Sequence, residues 1–267
     1  MKTNNNKYKI LVLSDLKGDT TSTLRSSVNL AKMIGGDVEF FHVKSPTEIV
    51  ENDNQLAANR AVNLEFTSTN KKIKNMMNLF SKDYGTETNI NFKFTFGNVK
   101  NEIEKRIDEV QPDIIVLGKK KVKPLKFIGD NITQFILKKH QGSVMIVSDK
   151  NGLDSTEEIS LGILNGNKQS FSMDFAESLL ENVKGPLNSF NIVKGTDAIE
   201  KVQIPTGQKV VEYVFDENDN SIKNLSHYLL KNNINLLCIN RESRKRIGKS
   251  NIDQAIGKLN VSLLVAN

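Results

Sequence analysis

An α/β fold of two successive lobes, each a doubly wound sheet of five parallel strands with the second lobe shortened, is what the sequence predicts. Three observations predict it. Short, nearly continuous apolar runs alternate with segments of helical period, the pattern of parallel strands covered by helices on both faces. Of 267 residues, 38% are hydrophobic and 25% charged, ordinary globular usage that lets each half bury its own core. The order of elements over residues 151–267 then repeats the order over 1–150.

Lys9–Ser14, KILVLS, is the first strand. Thr20–Ile34 follows as a helix, with Leu24, Val28, Ala31 and Met33 near one face, and Gly35-Gly36 ends it. Val38–Val43 is the second strand. Asn52–Tyr84 is long, polar and helix-prone, one helix or two, with Leu64, Ile73, Met76, Met77 and Phe80 as its apolar contacts. Ile90–Phe96 alternates as a third strand, and Val99–Val110 places Ile103 and Ile107 at helical spacing. Ile114–Leu117 is the fourth strand, and a helix over Asn131–Lys139 with the strand Ser143–Ser148 completes lobe 1.

The polar, turn-rich stretch Asn151–Glu157 connects lobe 1 to lobe 2. Lobe 2 is read as strand Ile159–Leu164, helix Ser170–Val183, strands Leu187–Val193 and Lys209–Phe215, helix Asn218–Lys231, strand Ile234–Asn240, helix Asn251–Leu259 and strand Val261–Ala266. It lacks the long helix between its second and third strands. The closing segments share an Ile-Gly, an Asn-Ile and an apolar last strand, so internal duplication is the economical account. VMIV and SLLVA are apolar runs whose free edges would invite pairing, and we expect them to pair with each other as an intramolecular pseudo-dimer.

The single cysteine, Cys238, excludes a disulfide framework and a thiolate zinc site, and fits a reducing compartment, the cytoplasm. Met1–Lys9 is polar without an apolar core, unlike a signal peptide, and no apolar run reaches the roughly 18 residues of a spanning helix, so no membrane association is expected. The net charge of +6 is uneven: Lys and Arg outnumber Asp and Glu 24 to 17 over 1–150 and trail them 13 to 14 over 151–267. A basic lobe steers polyanions, yet no strand offers an aromatic platform for single strands, so nucleic acid is not the expected partner. A homo-oligomer or an unidentified protein partner stays open. Gly248-Lys249-Ser250 ends like a phosphate loop, but Ser243 stands where the first glycine belongs. His42, His140 and His227 lie in unrelated elements without ligand spacing, and no nucleophile elbow or acid pair makes a case for an enzyme.

ILVLSD at Ile10–Asp15, FFHV at Phe40–Val43, Gly97 and Ile103 before a helix, QPDIIVLG at Gln111–Gly118 and VMIV at Val144–Val147 together resemble the universal stress protein family. The resemblance covers lobe 1 and is loose over lobe 2. It implies Rossmann-like or flavodoxin-like lobes, a role in stress response, and in nucleotide-binding members an ATP site at the switch point of the sheet. By that resemblance Asp15 faces the ribose and phosphates, the backbone of Val43 meets the adenine, and Gly118 and Gly129 start and end the phosphate loop. Glycines let phosphates approach backbone N–H groups, and a helix N-terminus adds partial positive charge.

The sequence departs from the family pattern: Lys121 stands at the second glycine, Gly129 comes two residues early, and Asp130 replaces the phosphate-binding Ser or Thr. In lobe 2, Asn165 aligns with Asp15 and Asn240 with Gly118. Against this, lysines crowd the first loop and Arg241, Arg244, Lys245, Arg246 and Lys249 crowd its counterpart, which makes Lys119 and Lys121 candidate phosphate contacts. Two readings follow: a non-catalytic stress-response or regulatory protein with a degenerate crevice and no tightly bound cofactor, or a protein binding ATP or another nucleotide in lobe 1, with slow hydrolysis as an option. Gly118 is expected to need a positive φ.

Overall fold

The computed structural model describes residues 7–16, 20–46, 55–84, 88–119, 131–149, 151–153, 159–167, 170–195, 202, 207–241 and 256–266. Lobe 1 runs β1 (Tyr8–Ser14), α1 (Thr20–Ile34), β2 (Gly36–Lys44), α2 (Gln55–Tyr84), β3 (Ile90–Phe96), α3 (Val99–Val110), β4 (Ile114–Gly118), α4 (Asn131–Lys139) and β5 (Ser143–Val147). Lobe 2 runs β6 (Leu161–Leu164), α5 (Ala176–Glu181), β7 (Leu187–Val193), β8 (Val210–Asp216), α6 (Ser221–Lys231), β9 (Leu236–Asn240) and β10 (Ser262–Ala266). The ten strands form one sheet in the order β3-β2-β1-β4-β5-β10-β9-β6-β7-β8, parallel everywhere except at its centre.

That centre joins the lobes. β5 and β10 pair antiparallel with Val144 opposite Val265, Met145 opposite Leu264 and Ile146 opposite Leu263. Both strands are buried along their whole length, as the two apolar runs require. The pairing makes both faces of the sheet continuous. On one face Tyr8, Leu24, Val28, Phe40 and Met145 share a core with Leu161, Phe175, Leu179 and Leu264; on the other, Leu11, Phe41 and Ile136 share one with Phe190, Leu225, Leu237 and Leu263. α1 meets α5 across the seam, where the Tyr8 hydroxyl donates to the Asp174 carbonyl (2.8 Å) and the Tyr8 ring meets Phe175 edge-on. The connection is tied down as well. Leu153 N donates to Ser26 Oγ (2.9 Å), and Asn29 Nδ2 donates to the Leu153 carbonyl (2.6 Å).

The helices follow the expected pattern, and two of them begin later than read. Gln55–Tyr84 is one continuous helix. α5 is only Ala176–Glu181, because Ser170 and Asn167 bond each other's groups (Asn167 N to Ser170 Oγ, 2.7 Å) and offer the backbone an alternative to the helix predicted from Ser170. α6 begins at Ser221 rather than Asn218 for the same reason: Asn220 N donates to Asn218 Oδ1 (2.8 Å) and Asn218 N to Ser221 Oγ (2.7 Å). Of the helix read over Asn251–Leu259, residues 256–258 are helical, and 251–255 lie outside the described residues. Among the described residues no helix is long and apolar enough to cross a membrane.

Because one sheet and two shared cores span both lobes, the chain should unfold as a unit. Leu264→Ala, at the middle of the seam and fully buried, should cost about 2–5 kcal/mol. Urea melts followed by far-ultraviolet circular dichroism and by tyrosine fluorescence should shift together; two separated transitions would contradict the shared core.

Candidate functional site

β1 leads on one side to β2 and on the other, after a crossover, to β4, so the switch point of lobe 1 lies between β1 and β4 at their carboxyl ends. Register pairs Leu13 with Leu117 and Ser14 with His42. Asp15, Val43 and Gly118 therefore leave three adjacent strands at one end of the sheet. The structure brings these three together. Asp15 is half-buried, and Val43 is half-buried against the core layer that carries α3. Lys121, Gly129 and Asp130 lie outside the described residues.

The turn after β1 is stitched in place. Leu16 adopts a left-handed backbone with φ of 55°, at a cost of roughly 1–2 kcal/mol for a residue with a Cβ. Three contacts hold it: its N–H donates to Ser14 Oγ (3.1 Å), its carbonyl accepts from Lys72 Nζ (3.0 Å), and its side chain packs on the core. The Ser14 carbonyl accepts from His42 Nδ1 (2.7 Å), which fixes the proton of a neutral imidazole on that nitrogen. Burial holds the His42 pKa below its ordinary 6.5. The His42 ring stacks on Phe94 (5.3 Å between centroids), Phe94 stacks on Phe66 of α2 (5.5 Å), and Lys44 pairs with Glu65 of α2. That hydrogen bond from Lys44 keeps the Glu65 carboxyl below the usual range.

Two site residues differ from their sequence reading. Gly118 does not have a positive φ. It ends β4, and it is small because a Cβ there would stand 2.5 Å from Thr23 Oγ1 of α1, so the hydroxyl occupies the space a side chain would take. The ammonium of Lys119 points away from the crevice and donates to the carbonyl of Leu259 in lobe 2, where burial lowers its pKa. Lobe 2 mirrors this contact. The Arg241 guanidinium donates to the carbonyls of His140 and Gly142, the latter at 2.7 Å. His140 and Leu259 each lie three residues before the last strand of their lobe, so the first residue after β4 and the first after β9 make equivalent contacts across the seam.

Register also corrects the alignment of the lobes. Leu164 pairs with Ile239 as Leu13 pairs with Leu117, so with Asn240 standing at Gly118 the counterpart of Asp15 is Gly166, and Asn165 stands at Ser14. Asn165, also left-handed (φ 47°), accepts from Ile192 N with Oδ1 (2.8 Å). A Cβ on Gly166 would stand 2.5 Å from Val202 Cγ2, so a valine side chain packs where a larger residue's side chain would go. Cys238 is buried in β9 with its thiol pushed up to about 12, which leaves it a packing residue. Thr23 and Val202, the side chains that pack against Gly118 and Gly166, carried no sequence signal, because contacts between elements decide them.

Gly118→Val should lower stability by about 1–3 kcal/mol through overpacking, and Thr23→Ala should recover part of that loss in the double variant; equal melting temperatures for wild type and Gly118→Val would refute the contact. Burial also lowers the His140 pKa. With folded pKa values below 6.5, the unfolded chain takes up protons first, so the stability these histidines allow is whole above about pH 6.5 and declines as pH falls through it. Thermal melts across that window should show the decline, with His42→Gln flattening it.

The model of the universal stress protein family matches residues 8–148. No match is found among curated proteins. Among solved structures, a universal stress protein from Archaeoglobus fulgidus DSM 4304 is similar with a TM-score of 0.64 at 12% identity, over 97% of this chain and 96% of that one. A functionally unknown protein from Pseudomonas aeruginosa PAO1 is similar with a TM-score of 0.58 at 11% identity, over 97% of this chain and 92% of that one. At these identities the likeness is one of fold. With its family match covering more than half of its length, the chain belongs to the universal stress protein family.

Proposed function

We propose that this chain is a tandem universal stress protein, lobe 1 over 1–150 and lobe 2 over 151–267, that acts in the cytoplasm as a non-catalytic stress-response or regulatory protein with a degenerate nucleotide crevice. One observation carries the reading: contact points that a nucleotide would use in lobe 1 are engaged by the protein itself. Thr23 Oγ1 fills the space over Gly118, and the Lys119 ammonium is held by the Leu259 carbonyl. The loop sequence points the same way. Lys121 takes the place of a glycine, the spacing to Gly129 is short, and Asp130 would set a carboxylate against phosphate.

The second reading, an ATP-binding lobe 1, is favoured by the juxtaposition of Asp15, Val43 and Gly118 at the switch point. The lysine charge of the loop sequence would add long-range attraction that salt screens over about 8 Å at physiological ionic strength, which does not replace fixed phosphate donors.

Titration calorimetry with Mg-ATP at physiological salt separates the two readings. The expected constant is nearer millimolar than micromolar, about −4 rather than about −8 kcal/mol, and Lys121→Gly with Asp130→Ser should tighten it. Micromolar binding by the wild type that Asp15→Ala abolishes would establish the nucleotide-binding reading instead.

A further inference from the structure

The two ends of the ten-stranded sheet carry different surfaces. At one end, the outer side of α2 exposes Leu56 and Leu64 by 71% and 72%. At about 100° per residue, Leu56, Arg60, Leu64, Lys71 and Lys74 fall within an arc of roughly 80°, and all five are exposed. The carboxylate of Glu65 lies on the opposite side of the helix, turned inward to Lys44. This face is apolar and cationic.

At the other end, β8 occupies in lobe 2 the place of β3 in lobe 1. Register pairs Phe41 with Lys93 and Phe190 with Tyr213, so Val214 stands where Phe94 stands, and Glu212 and Asp216 stand where Phe92 and Phe96 stand. In lobe 1 that face is covered by α2, whose Phe66 stacks on Phe94. In lobe 2 Val214 is 52% exposed between two exposed carboxylates. An apolar residue flanked by acids, on a face that a helix covers in the sister lobe, fits a helix bearing leucine and arginine.

We infer that a second copy of this chain docks head to tail, the outer face of α2 on one copy covering the Glu212–Val214–Asp216 face of β8 on the next. The two surfaces lie at opposite ends of the sheet, so one chain cannot join them within itself. With Leu64 on Val214, Arg60 lies about 6 Å further along the helix, and Glu212 and Asp216 lie about 7 Å along the strand on either side. An apolar contact therefore sits beside an ion pair. One helix face on one edge strand is small for a specific interface, so the association is weak and weakens further with salt.

Sedimentation velocity of the full chain over rising concentration tests this. The wild type should sediment faster as concentration rises, and Leu64→Asp and Val214→Lys, both at exposed positions, should each remove that dependence. Each variant keeps one intact surface, so an equimolar mixture of the two should form a one-to-one dimer that neither forms alone. A wild type that stays monomeric up to its solubility limit, single variants that associate like wild type, or a mixture that stays monomeric would each overturn the proposal.

Discussion

The antiparallel pairing of β5 with β10 turns two five-stranded sheets into one, and the shared cores and the cross-lobe bonds of Lys119 and Arg241 depend on it. Unpaired, each strand would present a fully apolar edge to solvent or to another chain, a template for unwanted strand addition. Paired, the two edges satisfy each other about a pseudo-two-fold axis that passes between Met145 and Leu264. The packing follows from that axis. α1 of lobe 1 and α5 of lobe 2 come to one side, where Tyr8, Phe175 and Leu179 share a core, and the connecting Leu153 is bound along α1 by Ser26 and Asn29.

The same pairing decides what the residues after β4 and β9 do. These strands neighbour the seam, so the residue that leaves each one stands beside the other lobe. Lys119 and Arg241 therefore reach backbone carbonyls across the seam. For Arg241 these lie just beyond the C-terminus of α4, where the helix leaves carbonyls without intrahelical partners and with partial negative charge. A basic residue at this position reads from sequence as an anion contact, and in the folded chain it is bonded to the opposite lobe. Charge alone could not distinguish the two uses, because both call for a cation at the end of a parallel strand.

Much of the architecture was legible because parallel strands buried on both faces leave an unmistakable trace, the near-continuous runs ILVLS, IIVLG and SVMIV. The last-strand pairing was legible for the same reason. What the sequence hid was short-range polar competition and long-range filling. The Asn167–Ser170 and Asn218–Ser221 turns shortened two helices, a choice made by side-chain hydrogen bonds that no hydrophobic period reports. Asn165 was matched to Asp15 one residue out of register, since only strand pairing shows that Gly166 holds that place. Asp15, Val43 and Gly118 were named from motif, and register sets them at the ends of adjacent strands. Thr23 and the direction of Lys119 were not, because each is set by a residue distant in sequence.

If Gly118 and Lys119 are to contact a ligand, their present neighbours set a threshold for it. If Lys119 turned toward a phosphate, the Leu259 carbonyl, beside a side chain that is fully buried, would lose its donor, and leaving such a group unsatisfied costs about 1–3 kcal/mol. A ligand seated over Gly118 would also meet the Thr23 hydroxyl, which stands over that glycine from the buried face of α1. The first requirement bears on the seam, where Lys119 is held. A ligand that drew this ammonium into the crevice would weaken closure of the seam, and by thermodynamic linkage closure of the seam would weaken that ligand's binding by the same factor.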